Sequence, residues 1–396
     1  ADGFVRRRLL PRKIDKQLRR EIPWDLIPES DRPAYEKEMS REWSDWLGWK
    51  SVRVLDLHES KKVEQDPENV GYILGSRFAL RNKHAGKDPS FLRKKNLPIV
   101  KPKARLCVYG HREKGKTKLR RDAPTGSRLS FFVVLWYCIS LGFELWGSDA
   151  RCAFMQGGKD NSRQRNIYFR PPRQGLPGVT KGQLILITGA VFGLVNAPRL
   201  WYRVIIGFLV SVGWVQHSLD AALLMRYVAG ELVGIILLHV DDVMAAVKSF
   251  AVLQELADRF DWSDWERDVL DFRGMHIQRL PDRIVVDQRS FSAAIEVDPV
   301  PLARRQVPKD RLNLDESSNF SSGIGSLNWV GNNSLPPVSA ATSLLQGGGG
   351  ATVEQLVEVN GLLREVRDAP ETGLTLWPVK VEDAVVVSEG DSSWAN

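Results

Sequence analysis

A chain of 396 residues with 43% hydrophobic content fits two to three domains with real cores, which excludes a disordered chain. No run approaches the roughly eighteen consecutive apolar residues of a membrane span, and three cysteines without a CxxC pair argue against a disulfide framework or structural zinc. The net charge of +8 is clustered, in residues 1–20 and from Arg77 to Arg121, as suits contact with a polyanion such as nucleic acid.

The N-terminus has neither a signal-peptide pattern nor an initiator Met, so the chain reads as a piece of something longer or a processed product. With the cysteine usage, this points to a reducing compartment, cytosol or nucleus. Residues 1–33 are basic and Pro-punctuated, a linker or a short helix. Glu36 to Trp46 is helical, with Met39, Trp43 and Trp46 on one face. Short strands follow at Val52–Leu55, Tyr72–Leu74, Arg77–Arg81 and Ala104–Tyr109, separated by polar segments with Gly or Pro. The alternation in Arg77–Arg81 puts basic residues on one face, so a small antiparallel sheet carrying positive charge is expected. A solvated surface would give the same charges; the interleaved Phe78, Leu80, Leu106 and Val108 favour a folded basic face over a tail.

Residues 126–142 have helical spacing, with Gly142 as a C-cap. Phe143 to Phe154 reads as a strand that breaks at Asp149 and runs into a helix-like segment, and residues 157–182 as a loop. Leu184–Ile187 and Ala190–Phe192 are strand or turn pieces. Asn196-Ala197-Pro198 starts an amphipathic helix from Leu200 to Trp214, with Trp201, Ile205, Phe208 and Leu209 inward.

The stretch Val233 to Val247 sets two apolar runs around Asp241-Asp242. Each run is too short for a typical helix, so the pair reads as a β-hairpin with the acidic pair at its tip. Carboxylates among aliphatic side chains are costly unless a cation neutralises them. Two of them, with a third from elsewhere, suit Mg²⁺, a hard cation that prefers oxygen ligands. A solvated Asp-Asp turn fits this stretch equally well. Beyond it come a helix at Leu253–Phe260, a strand at Phe272–Gln278 and its hairpin partner Arg283–Asp287. Residues 300–320 read as loop. Gly323–Gln346 and Val353–Arg367 read as two helices separated by Gly347–Gly350. A last strand from Asp383 leads into an acidic turn and has no partner in the remaining sequence, so a C-terminal domain reads as cut off.

Seven of these segments line up, in order, with one family. Lys103-Ala-Arg-Leu-Cys-Val-Tyr-Gly110 is similar to KARLVA-x-G, and Asp149-Ala-Arg-Cys-Ala-Phe-Met-Gln-Gly157 to D-V-K-T-A-F-L-N-G. Phe192-Gly-Leu-Val-Asn-Ala-Pro-Arg-Leu-Trp-Tyr202 matches Y-G-L-K-Q-A-P-R-x-W-Y, and His239-Val-Asp-Asp242 sits where Y-V-D-D belongs. Phe272-Arg-Gly-Met-His-Ile277 is similar to F-L-G-M-x-I, Gly323-Ile-Gly-Ser-Leu-Asn-Trp329 to V-G-S-L-x-Y, and Asp391-Ser-Ser-Trp-Ala395 to D-A-D-W-A. Over roughly residues 36–396 the chain resembles the reverse transcriptase region of a copia-type (Pseudoviridae-like) LTR retrotransposon polyprotein. Agreement of this many motifs is far more specific than any one pattern.

The resemblance implies an α+β fold of the right-hand polymerase type, with an antiparallel palm sheet. Its expected parts are a basic linker (1–33), fingers (34–125), a palm (126–280, with a fingers insertion about 157–190), a thumb and connection (281–370) and a truncated RNase H-like start (371–396). It implies RNA-directed DNA polymerisation from dNTPs on an RNA template and DNA primer, in the cytoplasm (virus-like particle) or nucleus. Asp149, Asp241 and Asp242 become the catalytic ligands of two Mg²⁺ ions, or Mn²⁺ in their place. If the hairpin tip is extended, Asp241 and Asp242 point apart and Asp149 and Asp241 do most of the holding; helix N-capping is the plain alternative for Asp149. Lys103, Arg105, Phe154 and Asn196 are the implied nucleotide contacts, with the Phe154 ring blocking a ribose 2′-hydroxyl. Arg77, Arg81, Lys83, Arg199, Trp201, His239 and Gly274 are the implied nucleic-acid contacts. Two departures stand out: Asn196 replaces the family's Gln, and His239 replaces an aromatic. They keep open a second reading, a decayed nucleic-acid-binding remnant. Of the RNase H acidic residues only Asp391 is present, so RNA cleavage by this chain is not expected.

Overall fold

The structure, a computed structural model, describes residues 18, 21–85, 89–159, 165–346 and 350–385. It divides into two compact units, residues 1–123 with 152–208 and residues 124–151 with 209–396.

In the first unit, helix Arg32–Gly48 buries Tyr35, Met39, Trp43 and Trp46. It starts earlier than its apolar spacing indicates because Pro33 suits a first helical turn, so the expected linker boundary at residue 33 falls inside the helix. The helix packs on a two-stranded antiparallel ribbon, Ser76–Asn82 with Pro102–Val108. The single small sheet expected here is in fact two. Val52–Val54 and Ile73–Leu74 belong to a separate four-stranded sheet, in the order Val52–Val54, Ile185–Ile187, Ile167–Phe169, Ile73–Leu74, and its last pair is parallel. Ile167–Phe169 lies where the sequence reads as loop, its three residues being too few for an alternation to show. The polar segment after Val54 holds helix Leu57–Gln65, which begins with a capping box between Asp56 and Glu59.

Helix Ala197–Ser211 carries the chain into the second unit, and Gly213, at φ +91°, ends it. Trp214 therefore opens the strand Trp214–Gln216 instead of closing the helix. That strand is the edge of a six-stranded antiparallel sheet. The order continues inward with Leu223–Val228, Glu231–His239, Asp242–Val247, Glu144–Asp149 and Glu266–Arg267. Helix Arg128–Ser140 covers it, capped by Ser127 accepting from Ser130 N and followed by Gly142 at φ +67°. Phe131, Val134, Leu135 and Cys138 meet Leu145, Ile235, Leu237, Met244 and Ala246 in one core. Burial on both faces explains why Val233 to Leu238 is a continuous apolar run rather than an alternating one.

A second antiparallel sheet runs Val269–Phe272, Met275–Arg279, Ile284–Asp287, Leu374–Leu376. The single strand expected over Phe272–Gln278 is broken at Arg273 and Gly274, both at positive φ (54° and 76°), the signature of a tight hairpin turn. Likewise the expected helix Gly323–Gln346 is two, Leu314–Asn333 and Pro337–Gln346, because Pro336 and Pro337 supply no N–H donors. The first of them starts inside the expected loop, on a capping box between Asn313 and Glu316. These two helices and Val353–Asp368 close on Ile324, Leu327, Val330, Leu345, Val359 and Leu363. Leu374–Leu376, in the segment assigned by resemblance to an RNase H start, pairs with Ile284–Val286. Gly347–Gly349 and most of the expected final strand and turn, Asp391 included, lie outside the described residues; Val381–Asp383 is a 3₁₀ turn.

Candidate active site

In the second unit the acidic hairpin pairs from Gly234↔Val247 to His239↔Asp242, which leaves a two-residue turn, Val240-Asp241. Val240 sits at φ +60°, a region a β-branched residue enters at a cost of about 1–3 kcal/mol. On its other side Asp242 is the register partner of Asp149, the last residue of the adjoining strand. Ala150 N donates to Asp241 O at 2.8 Å and ties the turn to the residue after Asp149. One carboxylate oxygen from each of Asp149, Asp241 and Asp242 lies within 4.8 Å of the others. The expectation that Asp241 and Asp242 point apart needs an extended tip; Asp241 is in the turn, so all three converge. Nor does Asp149 cap the following helix, Ala153–Gln156, whose N-cap position is Cys152.

Burial, then Asp241, then Asp149 push the Asp242 carboxyl up to about 7. Three carboxylates this close repel one another unless a cation lies among them. An all-oxygen donor set of this kind fits a hard divalent ion such as Mg²⁺ or Mn²⁺.

His239, beside the triad, is half-buried, with its ring 6.1 Å from that of Phe272, and its Nδ1 is buried without a hydrogen-bond partner. Burial and then the Arg273 guanidinium push its pKa down, against the pull of Asp241, so the ring is neutral at pH 7. Arg273 donates to Gly126 O at 3.0 Å and fixes the turn that exposes Gly274. The indole of Trp329, 40% exposed, lies against that turn. Sequence reasoning had Trp329 inside a motif and gave it no role; a large aromatic next to Gly325 and Ser326 on a helix was the available signal.

In the first unit the ribbon carries the basic face that the sequence indicated. Arg81 is the register partner of Lys103, Ala79 of Arg105 and Arg77 of Cys107. Burial, then Lys103, Lys101 and Arg81, push the Lys83 pKa down, as expected of crowded cations. Arg77 is engaged by Glu21. The Arg105 guanidinium stacks 4.5 Å from the Phe192 ring centroid, and Phe192 lies 5.0 Å from Phe154. The motif glycines explain themselves here. A Cβ on Gly193 (φ +99°) would lie 2.1 Å from Val108 O, and one on Gly110 2.2 Å from Gly193 O, so the two motif loops cross backbone to backbone. Asn196 is 2% exposed at the edge of a cleft of about 440 Å³ also lined by Lys118, Arg120, Arg199 and Arg203. Arg199 donates to Asp122 O at 2.9 Å and pairs with the Asp122 carboxylate. Trp201 is a correction: at 0% exposure its indole is a core side chain and cannot stack on nucleic acid.

Residues 81–299 match the family model described as reverse transcriptase (RNA-dependent DNA polymerase). The retrovirus-related Pol polyprotein from transposon RE1 of Arabidopsis thaliana is 24% identical over 388 residues, 93% of this chain and 25% of that protein. The polyprotein from transposon TNT 1-94 of Nicotiana tabacum is 26% identical over 171 residues, 42% of this chain and 13% of that protein. This chain thus spans about a quarter or less of the length of these relatives. A solved foamy viral protease-reverse transcriptase in complex with double-stranded DNA is similar at a TM-score of 0.39 and 13% identity, over 66% of this chain and 42% of that one. Among the described residues no helix is long and apolar enough to cross a membrane. On the family match, with the motif order and the acidic triad, the chain belongs to the reverse transcriptase (RNA-dependent DNA polymerase) family, in its copia-type retrotransposon Pol branch.

Proposed function

We propose that this chain polymerises DNA on an RNA template, adding dNTPs to a primer 3′-hydroxyl. The observation that carries the reading is the convergence of Asp149 and Asp242, register partners on neighbouring strands, with Asp241, in the hairpin turn just before Asp242. Asp149, Asp241 and Asp242 would hold two Mg²⁺ ions (or Mn²⁺), whose chemistry when bound would be to supply positive charge to the attacking and leaving oxygens of the transfer. The chain's own part is to hold the three carboxylates together and to present the primer end and the nucleotide. Arg273 and Gly274, with the Trp329 indole beside them, form a turn and a flat apolar plane suited to the primer strand. Lys103 and Arg105 are assigned to the triphosphate, Phe154 to exclusion of a 2′-hydroxyl, and Arg77, Arg81 and Lys83 to phosphates of the template. Phe154 suits that role because Phe192, itself stacked on Arg105, backs its ring.

In this reading the fingers are residues 34–125, the palm is residues 126–280 with a fingers insertion at about 157–190, and the thumb with connection is residues 281–370. A second reading, a binding remnant without catalysis, draws on the burial of Asn196 and the unpartnered Nδ1 of His239. Primer extension on RNA with Mg²⁺ or Mn²⁺ separates the two. Incorporation that disappears in the Asp241→Asn, Asp242→Asn double variant supports the polymerase. Template–primer binding without incorporation by the unaltered chain supports the remnant.

A further inference from the structure

The strand that ends in Asp149 is held differently on its two sides. Toward Asp242–Val247 the ladder is regular up to Asp242↔Asp149. On the opposite side Glu266 pairs with Gly147, yet the next pairing is Trp262 with Ala150. The outer segment therefore uses one residue more than the Asp149 strand over the same span. That is the arithmetic of a β-bulge, a device that bends a strand and re-aims a side chain.

Two serines fill the irregularity. Ser263 Oγ accepts from Asp149 N at 3.0 Å, while Ser263 N donates to Asp149 O at 2.8 Å, so both main-chain polar groups of Asp149 are held by one residue. Behind it Ser148 Oγ lies 3.2 Å from Ser263 Oγ and donates to Ser263 O at 3.1 Å. Arg151 N donates to Asp261 O at 2.9 Å and closes the far end. A regular ladder could give Asp149 a backbone partner; here a hydroxyl takes that place.

We propose that Ser263 is a positioning residue for the Asp149 carboxylate, with Ser148 as its support. This rests on the reading of the triad as a divalent-metal site. Ser263 fixes the backbone from which the ligand projects, and partners of this kind tune metal affinity. Alanine at 263 leaves the Asp149 N–H without its acceptor and frees the strand end to rotate. Threonine keeps the hydroxyl.

The test is Mn²⁺ binding to the full chain without nucleic acid, followed by electron paramagnetic resonance, with the melting temperature in EDTA measured alongside. Ser263→Ala is expected to weaken Mn²⁺ binding about tenfold or more, with Ser263→Thr within about twofold of the unaltered chain. In primer extension the same Ala variant raises the Mg²⁺ concentration needed for half-maximal rate and leaves the dNTP KM unchanged. Should Ser263→Ala not fold, Ser148→Ala carries the test, with a smaller loss in the same direction. An Ala variant that binds Mn²⁺ like the unaltered chain, or a Thr variant as impaired as Ala, overturns the proposal. If the unaltered chain binds no Mn²⁺ that Asp149→Asn abolishes, the metal-site reading falls as well.

Discussion

Asp242 is held in its site against its own charge, and replacing it should stabilise the metal-free protein while ending its chemistry. Its carboxyl is moved from 3.8 to about 7 by burial, Asp241 and Asp149. At 1.36 kcal/mol per pKa unit this corresponds to about 4 kcal/mol for the ionised form, and solvent screening of a half-buried group brings that to about 1–2 kcal/mol. Because the folded pKa is raised, the folded chain binds the proton more tightly than the unfolded one. The cost is therefore absent below about pH 4, grows as pH rises to about 7, and is complete above it. Asp242→Asn removes the charge and retains a group able to hydrogen-bond to Asp149. At about 2–4 °C per kcal/mol for a unit of 150–250 residues, melting in EDTA at pH 8 should rise by about 2–8 °C. The gain should shrink to near zero at pH 4.5, and added Mg²⁺ or Mn²⁺ should raise the unaltered chain's midpoint more than the variant's. A variant no more stable than the parent at pH 8, or a gain independent of pH, refutes the argument that these carboxylates repel one another in the folded state.

Three further outcomes follow from the same geometry. Gly193→Ala forces a Cβ to within 2.1 Å of Val108 O at a positive φ, and should cost about 3 kcal/mol or more, read as a lower urea midpoint or loss of soluble protein. Phe154→Val opens the ring packed on Phe192 and should reduce discrimination against ribonucleotides by about tenfold or more in single-nucleotide incorporation, with stability changed far less. Trp329→Ala removes an exposed indole beside Gly274 and should weaken template–primer binding about tenfold, as a lost stacking plane would, without lowering the melting temperature appreciably.

The acidic hairpin was legible because two short runs of Val, Ile and Leu around two carboxylates admit few other arrangements, and the strand into Asp149 was legible for the same reason. The conformation of the tip was not. Nothing in Val240 announces a positive φ, yet that turn swings Asp241 toward its neighbours. The turn at Arg273-Gly274 was not legible because glycine enters the left-handed region readily and arginine only rarely, so the pair looked like strand interior. The bulge at Ser263 depends on a count across two strands more than a hundred residues apart, which local patterning does not encode. Trp201 attracted two incompatible expectations, an inward helix face and a nucleic-acid contact, and its complete burial decides for the first. Helix Leu57–Gln65 could have been found: Asp56 and Glu59 have the spacing of a capping box, passed over because the segment is so polar.

The most direct test of the account asks whether Asp149, which comes from a different strand than the acidic pair, belongs to the same chemical site. Single-turnover incorporation of one dNTP on an RNA template should be measured for the unaltered chain and for Asp149→Asn, with template–primer affinity measured separately. The account requires the rate to fall by at least about a thousandfold, the scale on which loss of a central electrostatic group acts, while affinity stays within a fewfold. An Asp149→Asn variant that incorporates within about tenfold of the parent would contradict the three-carboxylate site.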